Sequence, residues 1–293
     1  MSENYMAAER LGKSYEGRTI LAGIEATLAP GQVVGLLGTN GAGKTTLLEL
    51  LLGLTPPSEG QARIFGHPSL DVPQREKALI GYVPQRDELL DSLSVRQHLE
   101  LFASFYPEWD AALVEKLTVE WSIAPSQRVG KMSPGERQKL AIIAALAHRP
   151  ALLVLDEPVA SLDPLARRRF LEQIVQISAD PERAVLFSSH IVSDVERLAN
   201  IIWILRDGRM RWQGDLDTLK ESVVRVHVSE GSLEAVAAEF ANVVTSESAR
   251  RGRSSFVALR DQHEDWAALE QALTGRARFE KLGLEDIFLE LHS

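Results

Sequence analysis

The chain has 293 residues, 45% hydrophobic and 25% charged, with a formal net charge of -9 and no cysteine. That length suits one large domain and a smaller one, in the composition of an ordinary globular protein. Disulfides and thiolate metal sites are excluded, and the acidic balance speaks against a nucleic-acid binder, which is usually basic.

Residues 1–5 lack the basic-then-apolar pattern of a secretory signal. No apolar run reaches the roughly 18 residues that a membrane-spanning helix needs. The chain is expected to be soluble, with any membrane role exercised through a partner.

In chain order, short apolar runs alternate with helical patterns up to about residue 220, which predicts an α/β domain with a largely parallel sheet. Strands are expected over 24–28 and 32–37, separated by the Pro30-Gly31 turn signal. A helix follows over 45–52, with Gly53 suited to the position past its end. Residues 86–147 read as mostly helical with a break near 125–131. Strands resume at 152–155, 185–188 and 201–205, and Asp207-Gly208 turns the last of these into 209–213 as a hairpin. From 221 onward a small α+β unit is expected. Val224, Val226 and Val228 alternate with Arg225 and His227, as in a strand with one buried face. Leu233, Val236, Ala237 and Phe240 share one helical face, as do Leu284, Ile287, Phe288 and Leu291. Residues 247–255, with Arg250, Arg251 and Arg253, read as an exposed, solvated loop.

Between the strand at 32–37 and the next helix lies Gly38-Thr39-Asn40-Gly41-Ala42-Gly43-Lys44-Thr45, a full G-x-x-x-x-G-K-[ST] match. Small residues let backbone N–H groups converge on phosphate oxygens, and the positive end of the following helix adds to the attraction. Lys44 is expected on the β- and γ-phosphates and the Thr45 hydroxyl on Mg²⁺, with Thr46 beside it. Residues 152–155 are wholly apolar and end in Asp156-Glu157. A buried parallel strand accounts for the apolar run. The paired acids at its carboxyl end lie where open α/β sheets place ligands. Asp156 is expected to hold Mg²⁺ and Glu157 to orient or deprotonate an attacking water.

Met132-Ser133-Pro134-Gly135-Glu136-Arg137 has the form of a helix start, with Ser133 as N-cap, Pro134 in the first position and Glu136 closing a capping box. Its place between phosphate loop and acidic strand is informative. Here the chain resembles the nucleotide-binding subunits of ATP-binding cassette transporters, whose signature is Leu-Ser-Gly-Gly-Gln or Glu. Pro134 departs from that pattern and removes one N–H.

The resemblance spans residues 5–220 and implies a P-loop NTPase cassette. Its RecA-like parallel-sheet core carries antiparallel β and helical subdomains (the latter at about 86–147), and 221–293 follow as a small α+β domain. It also implies ATP hydrolysis with Mg²⁺ and a homodimer, or a heterodimer with a related cassette. Ser133 and Gly135, with Glu136 beside them, would reach the γ-phosphate held by the other subunit. By the same resemblance Tyr15 stacks on adenine, and Gln85 senses Mg²⁺ and γ-phosphate. Ser161-Leu162-Asp163 couples the two sites, and His190 contacts γ-phosphate. A separately encoded permease is implied, with the chain on the cytoplasmic face of the membrane and no nucleic-acid partner. The ending Gly283-Leu284-Glu285-Asp286-Ile287-Phe288-Leu289-Glu290-Leu291 resembles type-2 exporter subunits, or simply closes the small domain as an amphipathic helix. A cassette ATPase with a regulatory, non-transport role is the alternative.

Overall fold

The computed structural model describes residues 4–86, 88–229, 233–240, 242–250, 253–259 and 266–292. Arg251 of the expected arginine loop lies outside the described residues. The chain forms two compact units, Met1–Gln213 and Gly214–Ser293.

The first unit begins with a hairpin of β1 (Met6–Tyr15) and β2 (Arg18–Leu28). β3 (Val33–Leu37) follows, and α1 (Lys44–Leu51) starts directly after the glycine-rich loop. Then come β4 (Glu59–Ile64), β5 (His67–Pro68), the short α2 (Gln74–Lys77) and β6 (Ile80–Val83). Three helices fill the expected helical segment: α3 (Val95–Ala103), α4 (Ala111–Glu120) and α5 (Pro134–Ala147). β7 (Leu152–Asp156), α6 (Pro164–Ser178), β8 (Ala184–Ser189), α7 (Val192–Leu198), β9 (Ile201–Arg206) and β10 (Arg209–Asp215) complete it.

Two sheets result. One has the order β2-β1-β4-β5, with antiparallel pairs. The other has the order β10-β9-β3-β8-β7-β6, and its β9-β3-β8-β7-β6 pairs are parallel. Every residue of β3, β7 and β8 is buried, which is why these strands are near-continuous Val, Leu and Phe. The core between the sheets joins Leu11, Ile24 and Leu28 to Leu47, Leu50, Val154 and Trp203. Asp207 and Gly208 both take positive φ, the backbone that a tight two-residue hairpin needs, and turn β9 into β10 as expected.

The second unit opens with α8 (Leu216–Ser222), capped by Asp215, whose carboxylate accepts from the Asp217 and Thr218 amides. The division read from sequence at 220 therefore falls inside a helix, and the compact units part earlier, at Gln213/Gly214. β11 (Val223–Val228), α9 (Leu233–Ala237), β12 (Val243–Arg250), β13 (Arg253–Leu259), α10 (Trp266–Ala272) and β14 (Ala277–Lys281) form a βαββαβ unit, followed by α11 (Leu284–His292). Its sheet has the order β12-β13-β11-β14 with antiparallel pairs, the split-βαβ arrangement. Val224, Val226, Val236, Phe240, Phe256 and Leu273 build its own core. The expected loop over 247–255 is corrected: residues 247–250 belong to β12 and 253–255 to β13, paired as a hairpin. β12 is the sheet edge, where charged side chains are the usual guard against further pairing. Arg250 and Arg253, at the ends of these two strands, read in sequence like part of a solvated loop.

Candidate functional site

The site is built at the carboxyl edge of the parallel sheet. β3, β8 and β7 are neighbours, with Leu37 opposite Ser189 and Ser188 opposite Asp156. Three connections thus leave the sheet side by side: the glycine-rich loop, the acidic pair and the segment at His190. This is the edge at which parallel α/β sheets bind ligands.

The loop is shaped by close approach. A Cβ on Gly38 would stand 2.8 Å from the Leu205 carbonyl oxygen. Gly43, at φ 104°, is the N-cap of α1 and offers no capping side chain. The first-turn N–H groups of α1 are therefore left for an anion. Thr39 and Asn40 are exposed, while Thr45 and Thr46 are partly so. Lys44 is buried, and its Nζ donates to the Gly38 carbonyl at 2.8 Å.

The charges converge on Glu157. Lys44 Nζ lies 3.2 Å from Glu157 Oε1, and His190 Nδ1 lies 2.7 Å from Oε2. The His190 ring is half-exposed, whereas Lys44 and Glu157 are buried. Glu157 takes φ 49° in the left-handed region. For a residue with a side chain this costs about 1–3 kcal/mol, a strain typical of working sites. Asp156 is fully buried; its Oδ1 accepts from the Ser188 hydroxyl at 2.5 Å, and Oδ2 has no hydrogen-bond partner. A buried carboxylate oxygen without a donor is costly alone and suits a cation. The Thr45 hydroxyl is a second hard oxygen of the kind that magnesium selects. The donors present therefore fit a magnesium ion.

Thr45 and Gln85 line one cavity of about 660 Å³, together with Glu49, Tyr82, Tyr106 and His148. Burial, aided by Asp156, Glu49 and Glu88, pushes the Tyr82 hydroxyl well above its ordinary range. Burial likewise lowers His148, whose ring stacks on Tyr106 at 3.9 Å. Tyr15, at the end of β1, is 46% exposed with Lys13 Nζ 4.8 Å from its ring centre.

The signature segment sits on another element, the start of α5. Ser133 is its N-cap, Pro134 takes the first turn, and both halves of the capping box are present. Glu136 Oε2 accepts from the Ser133 amide at 2.7 Å, a bond that holds the Glu136 carboxyl below the usual glutamate range. Gly135 has a tertiary reason to lack a side chain, since a Cβ there would lie 2.7 Å from the Ser161 carbonyl oxygen. Asp163 caps α6 by accepting from the Leu165 and Ala166 amides and pairs with Lys139 of α5 at 3.1 Å. Glu136 and Asp163 are thus engaged in helix caps within the chain. The Lys139–Asp163 pair ties α5 to the loop that follows Glu157.

Of the expected site residues, the structure brings Lys44, Asp156, Glu157 and His190 together, and Thr45 with Gln85. Ser133, Gly135 and Glu136 stand on α5, and Tyr15 on the hairpin. Sequence reasoning took Ser188 only as the end of a strand. Its signal was a hydroxyl closing an otherwise apolar buried run.

The chain is also similar to known proteins. The ABC transporter family profile matches residues 21–160, which hold the phosphate loop, the signature and the acidic pair. Nod factor export ATP-binding protein I of Paraburkholderia xenovorans (strain LB400) is 32% identical, the match covering 99% of this chain and 98% of that protein. ABC transporter ATP-binding protein YtrB of Bacillus subtilis (strain 168) is 29% identical over 75% of each. A solved ATP binding subunit of an ABC transporter is 30% identical, with a TM-score of 0.67 over 74% of this chain and 92% of that one. A relative at this identity, matched over nearly its whole length, is decisive: the chain belongs to the ABC transporter family as an ATP-binding, ATP-hydrolysing subunit.

Proposed function

We propose that two copies of the chain, or one copy and a related cassette, close around two ATP molecules with magnesium, and that this cycle drives a separately encoded membrane permease. The observation that carries the reading is the convergence of Lys44 and His190 on the strained, buried Glu157, while the exposed Ser133 stands on a different element, at the α5 tip. A capped helix start is an anion site, and Ser133 with the Gly135 N–H would meet the γ-phosphate of the partner's nucleotide.

Within one chain, the loop amides and Lys44 hold the β- and γ-phosphates, and Tyr15 offers its ring to adenine. Thr45, Asp156 and Gln85 would hold magnesium, which would supply charge neutralisation at the phosphate oxygens. Glu157 takes the proton of the attacking water. With its Nδ1 side turned to Glu157, His190 presents the rest of its half-exposed ring to the water or the γ-phosphate. Asp163, through its α6 cap and Lys139, fixes the loop that joins the acidic pair to the signature helix. Membership of the ABC transporter family supports a separate permease and a peripheral place on the cytoplasmic face, and among the described residues no helix is long and apolar enough to cross a membrane. The export names of the Nod factor relatives support outward transport.

Size-exclusion chromatography of Glu157→Gln tests the closure. With ATP the variant is expected to elute at twice the 32.4 kDa mass of the chain. Elution at the monomer mass in saturating ATP contradicts the proposal.

A further inference from the structure

We propose that Ser188 is a positioning residue for the acidic pair: its single hydroxyl leaves one Asp156 oxygen for the cation and holds Glu157 in its left-handed conformation. This rests on the assignment of Asp156 to magnesium.

The residue ends the apolar run of its strand. β8 is buried throughout, and Ala184, Val185, Leu186 and Phe187 are apolar as such a strand requires. Ser188 is fully buried as well, so water does not explain its hydroxyl. Register places it opposite Asp156. Its Oγ lies 2.9 Å from the Glu157 amide nitrogen and 2.5 Å from Asp156 Oδ1.

The direction of these bonds follows from chemistry. An amide N–H only donates, so Oγ accepts from Glu157. The one hydroxyl hydrogen then goes to Asp156 Oδ1, at a distance typical of a charge-assisted bond to carboxylate. Oδ1 is thereby engaged, and Oδ2 is the oxygen that stays without a partner. The accepted bond at the same time anchors the peptide where the chain leaves β7 and Glu157 turns to φ 49°. Ser188 thus couples the cation's carboxylate to the backbone that carries the base. An alanine keeps the strand and loses both bonds, whereas a threonine keeps the hydroxyl in a β-branched residue suited to a strand.

The test is manganese binding to the ADP complex, read by electron paramagnetic resonance on wild type, Ser188→Ala and Ser188→Thr. Alanine is expected to weaken manganese binding by about tenfold or more, leave ADP affinity without metal unchanged, and threonine to restore the binding. Manganese binding by the alanine variant at the wild-type level overturns the proposal. So does an equal loss of ADP affinity with and without metal, the mark of a merely structural serine. A wild-type protein whose ADP complex takes up no manganese contradicts the magnesium assignment instead. Hydrogen exchange on the wild type adds a check that needs no variant. The Glu157 amide is expected to be protected like those of β7, and exchange at the rate of an open turn overturns the backbone half of the proposal.

Discussion

At the carboxyl edge of the parallel sheet, Lys44, Asp156 and Glu157 are buried, Glu157 is strained, and Asp156 Oδ2 has no partner. The antiparallel sheet of the second unit carries a cluster of similar composition with the opposite character. Arg225 meets Glu290 at 2.8 Å and Glu280 at 3.8 Å, and His227 meets Glu280 at 2.6 Å, all partly open to solvent. Ions withdrawn from water are costly unless something compensates them. A buried cluster with an unsatisfied oxygen therefore points to a ligand. Partly solvated pairs that satisfy one another cost little and contribute little. Composition alone does not separate the two clusters; burial, strain and unmet bonding do.

The strongest way to break this contrast is Glu157→Gln. Phosphate release under saturating ATP is expected to fall by about 10²–10⁴-fold, with ATP binding retained. An unchanged rate would make the buried cluster structural. Next in size is Arg225→Ala, expected to lower stability by about 1 kcal/mol or less in urea titration and to leave turnover unaltered. A large loss of turnover would give the second unit a role in the chemistry.

The smallest effect is one of pH. The hydrogen bond from His227, then the charges of His227, Arg225 and Arg278, hold the Glu280 carboxyl below the glutamate range. A lowered folded value means the unfolded chain binds the proton more readily. The stability Glu280 contributes is thus complete above its ordinary value of about 4.3 and is lost as pH falls through the lower folded value. The urea midpoints of wild type and Glu280→Gln are expected to converge between about pH 5 and 3. A difference that persists to pH 3 would contradict this origin.

Legibility followed locality. The phosphate loop, the acidic strand end and the capping box at Ser133 are contiguous, and their chemistry is fixed by neighbours in sequence. The Ser188–Asp156 bond joins residues 32 apart and exists only through the β7–β8 register. The Gly135–Ser161 approach is likewise tertiary. β1 escaped a period-two reading because its pairing with β2 shifts between Ala8 and Leu11, again before Lys13, and once more before Ser14. Each shift moves the buried face by a residue. The β12–β13 hairpin was hidden because Arg250 and Arg253, which pair across it, read in sequence like a solvated loop.

The two-chain site is tested most directly by the specific ATPase activity of the wild-type chain across a dilution series. If each γ-phosphate waits for the α5 tip of a partner, activity per chain falls in proportion to concentration once dimers are scarce, and Ser133→Ala deepens the fall. Constant activity per chain at every dilution, unaffected by loss of the Ser133 hydroxyl, would contradict it.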